Sequence, residues 1–262
     1  MTLAKVRERL AGREPTRAEW EALQADGRAG VKRIVERVLA ARRREASESR
    51  RLFERTRFER ELWERGLELV AGCDEAGMSP LAGPVVAGAV ILERGDRIRD
   101  VDDSKKLSPK ERERLQVEIK ARARSWAIGI TTHEEIDELN IFRAGLLAMR
   151  RAIEGLLPAP QHVLLDARRV PEVSIPQTPI IKGDALSLTI GAASILAKTT
   201  RDRMLVELDA EYPGYGFAIH KGYPVAAHVE ALRRLGPCPI HRRSFAPVRE
   251  VLGLEPVQRE LF

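Results

Sequence analysis

Three apolar segments that end on acidic residues constrain the fold of this chain more than any other feature of its sequence. The segments LELVAGCDEAG, HVLLD and TPIIKGD each have the pattern of a β-strand, and they end on Asp74–Glu75, Asp166 and Asp184. Two further strand-like segments, PVVAGAVIL and SWAIGITT, and several helical segments are interspersed with them. This order predicts an α/β fold with a mixed sheet flanked by helices. We expect strands that end on the same side of this sheet to bring the carboxylates together.

The chemistry of these acidic strand ends points to a metal ion. Carboxylates packed side by side without a counter-charge repel one another, whereas Mg²⁺ takes oxygen ligands and keeps waters for a phosphate substrate. Two ions about 3.5–4 Å apart stabilise the attacking and the leaving oxygen in phosphoryl transfer. Each acidic residue alone is better explained as the cap of a turn or helix. Together, beside basic and glycine-rich loops, they predict metal-dependent phosphodiester chemistry with Mg²⁺ or Mn²⁺ as the cofactor.

The first quarter of the chain carries the whole net positive charge. Residues 1–66 hold 18 basic and 12 acidic side chains, whereas residues 67–262 hold 27 of each. The pattern of residues 1–66 is helical throughout, and Thr16 with Glu19 forms a capping box at one helix start. We therefore divide the chain into a basic helical extension, residues 1–66, and a main domain, residues 67–262. Such an extension suits a polyanionic partner, although on charge alone a solvated helical face is the simpler explanation.

The composition and motifs exclude several classes of protein. No run of eighteen apolar residues is present, and MTLAKVRERL has charges where a signal peptide has its apolar stretch. The two cysteines, Cys73 and Cys238, are too few for a disulfide framework and fit a reducing compartment. The five histidines lack zinc-site spacing, and neither a Walker loop nor a Rossmann fingerprint occurs. We therefore expect a cytoplasmic monomer with no membrane partner.

Five linked motifs closely resemble those of ribonuclease HII, the type 2 ribonuclease H. They are CDEAGMSPLAGPVVAGAV, DSKKLS, IIKGDALSLTIGAASILAKTTRDR, YPGYGFAIHKGY and GPCPIHRRSFAPV, and they span about residues 68–250 in the order and spacing of the family. The helical extension resembles the one found in some bacterial members. Ribonuclease HIII is less similar, because this chain has PLAGPV after the first acidic pair and no β-rich N-terminal domain.

The resemblance implies a ribonuclease H-like fold and a nuclease that binds nucleic acid. Such enzymes cleave the RNA strand of RNA–DNA hybrids and cut on the 5′ side of ribonucleotides embedded in duplex DNA, leaving 3′-hydroxyl and 5′-phosphate ends. By motif position, Asp74, Glu75, Asp166 and Asp184 match the four catalytic, metal-binding carboxylates of the family. The resemblance also implies that residues 67–262 form the catalytic domain and that its C-terminal helices and loops bind substrate.

Substrate-binding positions also follow from the resemblance, with one departure. Lys105 lies in the motif that approaches the substrate backbone, and Tyr223 matches a tyrosine that stacks on the sugar of the neighbouring deoxynucleotide. The family usually has Gly-Arg-Gly where this chain has Gly77, Met78 and Ser79. Backbone groups of that tripeptide contact the 2′-hydroxyl and nearby phosphates in the family. Met78 lacks the arginine charge, and Ser79 adds a side chain, which is the more serious change if its backbone needs a positive φ.

Two other functions compete with this interpretation. One is a catalytically weak RNA–DNA hybrid-binding protein whose active part is the basic extension, but a pure binder gains nothing from acidic groups that face phosphates. The other is a related transferase or resolvase on the same fold, against which the C-terminal motifs argue. Metal-dependent cleavage of a labelled hybrid distinguishes the nuclease from the binder.

Overall fold

The chain forms two compact units in a computed structural model. The structure describes residues 1–12 and 14–255. The first unit ends at Glu54 and the second begins at Arg55. The division between residues 66 and 67 made from the sequence remains a prediction about domains.

The first unit contains helices packed around a small apolar core. Its helices are α1 (Leu3–Gly12), α2 (Arg17–Ala25) and α3 (Ala29–Arg55), the last of which reaches the first residue of the second unit. The capping box predicted for α2 is present, because the Glu19 amide donates to Thr16 Oγ1 at 3.3 Å and the Thr16 amide donates to the Glu19 carboxylate at 2.7 Å. Within the unit, Val6, Leu23, Val31 and Val35 are buried together.

The second unit is a mixed sheet with helices on both faces. Its elements are α4 (Arg57–Glu64), β1 (Val70–Ala76), β2 (Val85–Ile91), α5 (Pro109–Arg122), β3 (Ser125–Thr131), α6 (His133–Leu139), α7 (Ile141–Glu154), β4 (His162–Asp166), β5 (Gln177–Ile180), α8 (Gly183–Leu186), α9 (Leu188–Glu211), α10 (Phe217–His220), α11 (Ala226–Leu235) and α12 (Ala246–Val251). The strand order is β3-β2-β1-β4-β5. Strand β1 is antiparallel to β2 and parallel to β4, and β5 is parallel to β4.

Two helices pack closely on opposite faces of the sheet. A Cβ at Gly72 of β1 would lie 2.2 Å from the α9 backbone, so only glycine allows this approach. A Cβ at Gly129 of β3 would lie 2.0 Å from the carbonyl of Ala148 in α7. Gly129 pairs with Ala87 of β2, whereas the next residue, Gly88, faces α9. Since successive strand residues point to opposite faces, α7 and α9 cover the two sides.

The predicted fold class is confirmed, with one local correction. The strand expected to end on Asp184 ends instead at Ile180, and Asp184 lies in the short helix α8. The chain turns there because Lys182 adopts a left-handed conformation, with φ of +59°, which ends extended structure. No helix in residues 1–12 and 14–255 has the length and apolar character required to cross a membrane.

Candidate active site

Asp74 and Asp166 lie at one edge of the sheet because β1 and β4 are parallel neighbours. Cys73 of β1 pairs with Leu165 of β4, and the next residue of each strand is an aspartate. Asp74 is 6% exposed, Asp166 is half-buried, and Glu75 follows Asp74 on β1. The sheet register therefore brings three of the four predicted carboxylates to neighbouring positions.

Asp184 reaches the same region through a turn that Asp166 helps to hold. The amide of Gly183 donates to Asp166 Oδ1 at 2.8 Å, and the amide of Ala185 donates to Asp184 Oδ1 at 2.9 Å. Asp184 is 9% exposed. The Asp166 side chain thus fixes the backbone beside Asp184. Neither residue's sequence motif reveals this contact.

The electrostatics show that these carboxylates act on one another. Burial raises the pKa of Asp74 well above its usual value, and repulsion from Glu75 and Asp166 raises it further. Burial also raises the pKa of Glu75, although Arg168, whose Nη1 lies 3.9 Å from Glu75 Oε1, acts in the opposite direction. The pKa of Asp184 is raised by burial first and by repulsion from Asp166 second. Burial and mutual repulsion therefore both disfavour the ionised forms of Asp74, Glu75 and Asp184.

The donor set fits a divalent cation by its chemistry. Carboxylate oxygens are ligands that Mg²⁺ and Mn²⁺ favour, and a cation would offset the repulsion that raises these pKa values. Within the described residues, no group of three or more His, Cys, Asp or Glu side chains is arranged so that it could hold a metal ion. One oxygen of Asp74, of Asp166 and of Asp184 is instead turned to a backbone amide. The role of the four residues as ligands stays a prediction.

Lys105 lies on a loop that is tied to Asp74 through two serines. Ser104 Oγ lies 3.0 Å from Ser194 Oγ of α9, and the interaction of Ser194 with Asp74 lowers the pKa of that carboxyl. The exposed Lys105 ammonium is partly desolvated, which lowers its pKa, but attraction to Asp103, Asp184 and Asp74 gives a net increase. Lys105 is therefore a charged group that faces the carboxylate cluster and solvent together, as a phosphate contact requires.

The loop after β1 is held by two fully buried arginines. Arg242 Nη2 donates to the Gly77 carbonyl at 2.7 Å, and Arg201 Nε donates to the Pro84 carbonyl at 2.9 Å. Gly77 has φ of +99°, and a Cβ there would lie 2.2 Å from Arg201 Nε. Burial lowers the pKa of Arg201 to about 10 and that of Arg242 to about 9, so both remain charged at neutral pH. Position 77 therefore needs glycine both for its positive φ and for the close approach of Arg201.

The departure from the family tripeptide is milder than the sequence alone indicates. Within residues 77–79 the positive φ belongs to Gly77, whereas Ser79 is exposed and lacks a positive φ. Met78 is half-buried and packs towards α7, where its sulfur would lie 2.9 Å from a Cβ at Gly145. The serine is therefore not strained, and the loss is confined to the charge that an arginine would carry at position 78.

Tyr223 faces the same side of the site as the lysine loop. Its half-buried ring has Lys198 Nζ at 5.4 Å from the centroid and Arg201 Cζ at 5.9 Å. Its hydroxyl also contributes to the increase in the Lys105 pKa. All nine predicted site residues thus lie on the β1 end, its following loop, or elements that interact with them.

Sequence reasoning missed two charged residues of this site. Arg168 follows Asp166 by two positions, packs over the Phe142 ring at 5.1 Å and faces Glu75. Asp103 accepts the Lys105 amide at 2.9 Å, and its charge helps to raise the pKa of Asp184. The only sequence signal was that Arg168 lies near Asp166 in the chain and Asp103 lies near Lys105. Such proximity does not show where a side chain points.

Two protein-family models match the sequence of the chain. The model described as Ribonuclease HII matches residues 71–248, and the model described as Ribonuclease HII N-terminal domain matches residues 2–63. The chain belongs to the ribonuclease HII family. The resemblance recognised from five motifs is therefore confirmed, and it extends into the helical region before them.

Individual relatives agree with this assignment. The ribonuclease HII of Anaeromyxobacter sp. is 60% identical over 264 residues, which cover 100% of this chain and 84% of that protein. The ribonuclease HII of Myxococcus xanthus is 57% identical over 92% of this chain and 85% of its own length. The solved structure of ribonuclease H2 from Pyrococcus horikoshii is 28% identical with a TM-score of 0.59, and the match covers 70% of this chain and 96% of the other.

Membership of the ribonuclease HII family decides between the competing functions. The protein is a ribonuclease H, an endoribonuclease that acts on RNA–DNA hybrids. The catalytically weak hybrid-binding protein is not favoured.

Proposed function

We propose that this ribonuclease HII hydrolyses the phosphodiester on the 5′ side of a ribonucleotide with the help of divalent metal ions. The substrates are the RNA strand of RNA–DNA hybrids and single ribonucleotides embedded in duplex DNA, and the products carry 3′-hydroxyl and 5′-phosphate ends. The observation that supports this most is the meeting of Asp74, Glu75 and Asp166 at the ends of the parallel strands β1 and β4, with the turn of Asp184 held to Asp166 by the Gly183 amide. We propose Mg²⁺ or Mn²⁺ as the ion.

Each predicted residue has a distinct part in this reaction. Asp74, Glu75, Asp166 and Asp184 would hold the ions. When bound, divalent ions supply positive charge that stabilises the attacking and leaving oxygens of an in-line displacement. By holding that positive charge in place, the carboxylates would also orient the scissile phosphate.

Recognition falls to groups beside the carboxylates. The Lys105 ammonium donates to a phosphate oxygen next to the scissile bond. The backbone of residues 77–79 reads the 2′-hydroxyl, which is the group that separates RNA from DNA. The Tyr223 ring packs against the sugar on the DNA side of the junction. The buried arginines behind the loop keep its backbone groups at fixed positions for this purpose.

The direct test compares two substrates under matched conditions. Duplex DNA with one embedded ribonucleotide and a long RNA–DNA hybrid are each incubated with Mg²⁺, with Mn²⁺ and with a chelator, and product ends are mapped. We expect cleavage of both substrates only with metal, at the 5′ side of ribonucleotides. Equal cleavage in the presence of the chelator, or products with 5′-hydroxyl ends, would contradict the proposal.

The tripeptide departure predicts weakened action at single ribonucleotides. One charge-assisted hydrogen bond contributes about 1.5–3 kcal/mol, which corresponds to roughly ten-fold or more in binding. The double variant Met78→Arg, Ser79→Gly should therefore gain more on the embedded ribonucleotide than on the long hybrid. Since Ser79 is unstrained, we expect Met78→Arg alone to give most of the gain and Ser79→Gly alone to give little. Equal gains on both substrates would mean that the tripeptide does not limit junction selectivity.

The raised carboxyl pKa values predict a metal-dependent pH profile. Asp74 and Asp184 must lose their protons to bind a cation, so activity rises as pH rises through their raised pKa values. Because a cation competes with protons for the same oxygens, a higher Mg²⁺ concentration should move the acid side of the profile to lower pH. Initial rates across the pH range at two Mg²⁺ concentrations measure this. An acid side that stays fixed would show that the titrating group does not bind metal.

The cellular location and the oligomeric state of the protein are part of the same proposal. A ribonuclease with these substrates acts where genomic DNA and its hybrids are present, so we propose a cytoplasmic protein of ribonucleotide repair. We propose that it acts as a monomer, because the predicted site draws all nine residues from one chain. Sedimentation of the free protein tests the monomeric state.

A further inference from the structure

Arg55 is buried against the backbone that carries Asp184. The residue is 4% exposed, and its Nη2 donates to the Asp184 carbonyl at 2.6 Å and to the Ser187 carbonyl at 3.1 Å. Its Nη1 donates to the Val101 carbonyl and lies 3.8 Å from Asp102 Oδ1. One guanidinium thus joins the backbone of a predicted metal ligand to the start of the loop that carries Lys105.

The geometry of the turn explains why an arginine is needed there. The Asp184 carbonyl belongs to the short helix α8, where carbonyls lack a full set of helical partners. The Ser187 carbonyl, at the cap of α9, accepts from the Gly191 amide at 3.1 Å as well as from Arg55. A planar guanidinium satisfies several carbonyls at once, which a lysine ammonium on a flexible stem does less well. Gly191 leaves the space, because a Cβ there would lie 2.4 Å from Arg55 Nη2.

Glu59 fixes the other side of the same turn. It is fully buried, and its Oε1 accepts from the Ser187 hydroxyl at 2.6 Å, from the Thr189 amide at 3.0 Å and from the Thr189 hydroxyl at 2.8 Å. Arg55 and Glu59 therefore both hydrogen-bond to residues 184–189, Arg55 through backbone carbonyls and Glu59 through hydroxyls and an amide. Neither residue belongs to the five motifs that identify the family.

We infer that Arg55 is a positioning residue for the active site, which sets the Asp184 carboxylate where a divalent cation needs it. The inference rests on the proposed role of Asp184 as a metal ligand. Arg55 does not touch substrate or cation in this scheme. It acts through the Asp184 carbonyl and, through Val101, on the placement of the Lys105 loop.

The test measures metal binding without substrate, so that it does not depend on turnover. Mn²⁺ binding to the full-length protein is followed by the loss of the electron paramagnetic resonance signal of free Mn²⁺. Arg55→Lys keeps the charge but loses the planar fork, and outer residues that orient metal ligands typically contribute roughly 10- to 100-fold in affinity. We expect Arg55→Lys to raise the Mn²⁺ dissociation constant about ten-fold and to raise the Mg²⁺ concentration that gives half-maximal cleavage.

Matched controls separate positioning from general stability. Arg151→Gln removes an arginine that donates to the Ile130 carbonyl and to Glu135 away from this site, so it should lower the unfolding temperature without changing Mn²⁺ affinity. Asp184→Asn should weaken Mn²⁺ binding if the proposed site is right. If Arg55→Lys does not fold, Arg55→Gln, which keeps an amide donor without the planar fork, is measured in its place.

The outcomes distinguish this inference from the proposed function. Weakened Mn²⁺ binding in Arg55→Lys and Asp184→Asn, but not in Arg151→Gln, supports it. Normal Mn²⁺ affinity in Arg55→Lys beside weakened affinity in Asp184→Asn overturns the positioning role and leaves the proposed site intact. Normal Mn²⁺ affinity and cleavage in Asp184→Asn overturn the assignment of Asp184, and the role of Arg55 with it.

Discussion

Replacing Asp74 or Asp166 with asparagine should abolish cleavage of both substrates while the protein stays folded. Asparagine keeps the shape of the side chain but cannot supply the negative charge that a cation needs. We expect kcat/KM to fall by at least roughly a hundred-fold, equivalent to about 2.7 kcal/mol of transition-state stabilisation. Initial rates on the embedded ribonucleotide and the long hybrid, at saturating Mg²⁺, give the measurement.

Asp137→Asn is a matched control for these variants. Asp137 lies on α6 and accepts hydrogen bonds from the amides of Arg243 and Ser244, each at 2.8 Å, so it is a structural carboxylate of the same unit. Its replacement should leave cleavage near normal. Normal turnover in Asp74→Asn or Asp166→Asn would remove that residue from the metal site.

The Asp74→Asn replacement should also stabilise the metal-free protein at neutral pH. Because the pKa of Asp74 is raised in the folded state, ionising it above its unfolded pKa of about 3.8 costs stability, and this cost persists through neutral pH. Asp74→Asn avoids the cost, so its unfolding temperature in the presence of a chelator should exceed that of the original protein. Each kcal/mol is worth about 2–4 °C in a chain of this size. The difference should disappear at acid pH, where both side chains are neutral.

The sequence was sufficient to predict those features of the fold that depend on local chemistry. The apolar strand segments that lead to Asp74 and Asp166, and the capping box of Thr16 with Glu19 at the start of α2, depend on neighbouring residues. The parallel pairing of β1 and β4 then places the two aspartates together. Five linked motifs supplied the family and, through it, the four carboxylates.

The rest depends on contacts between distant parts of the chain. Asp184 was assigned to a strand end because TPIIKGD has an apolar pattern, but the left-handed Lys182 starts a new helix before it. The contacts of Arg55 and Glu59 with residues 184–189 span more than a hundred positions. In the sequence these two residues are only charges within a basic helical tract. Hence the charge pattern was compatible with a polyanionic partner for this tract but gave no sign of a role in the active site.

Two truncations should therefore have very different effects. Removal of residues 1–54 takes away 14 basic and 9 acidic side chains but keeps Arg55, Glu59 and helix α4. We expect this shorter protein to fold and cleave, with weaker binding to nucleic acid and a flatter dependence on salt, because fewer phosphate counterions are released. An unchanged salt slope would mean that residues 1–54 serve another purpose.

Removal of residues 1–66 should instead disable the enzyme. This cut also deletes Leu62 and Trp63, which are 5% exposed and pack with Val70, Leu164 and Ile190 of the second unit. Loss of a buried tryptophan alone costs about 3–5 kcal/mol, a large share of the roughly 5–15 kcal/mol that stabilises a typical protein. The cut also leaves the carbonyls of Asp184 and Ser187 without Arg55. We expect little folded protein and little Mn²⁺ binding, as measured by thermal unfolding and by the free Mn²⁺ signal. If the protein without residues 1–66 binds Mn²⁺ and cleaves as well as the protein without residues 1–54, helix α4 contributes nothing to the site.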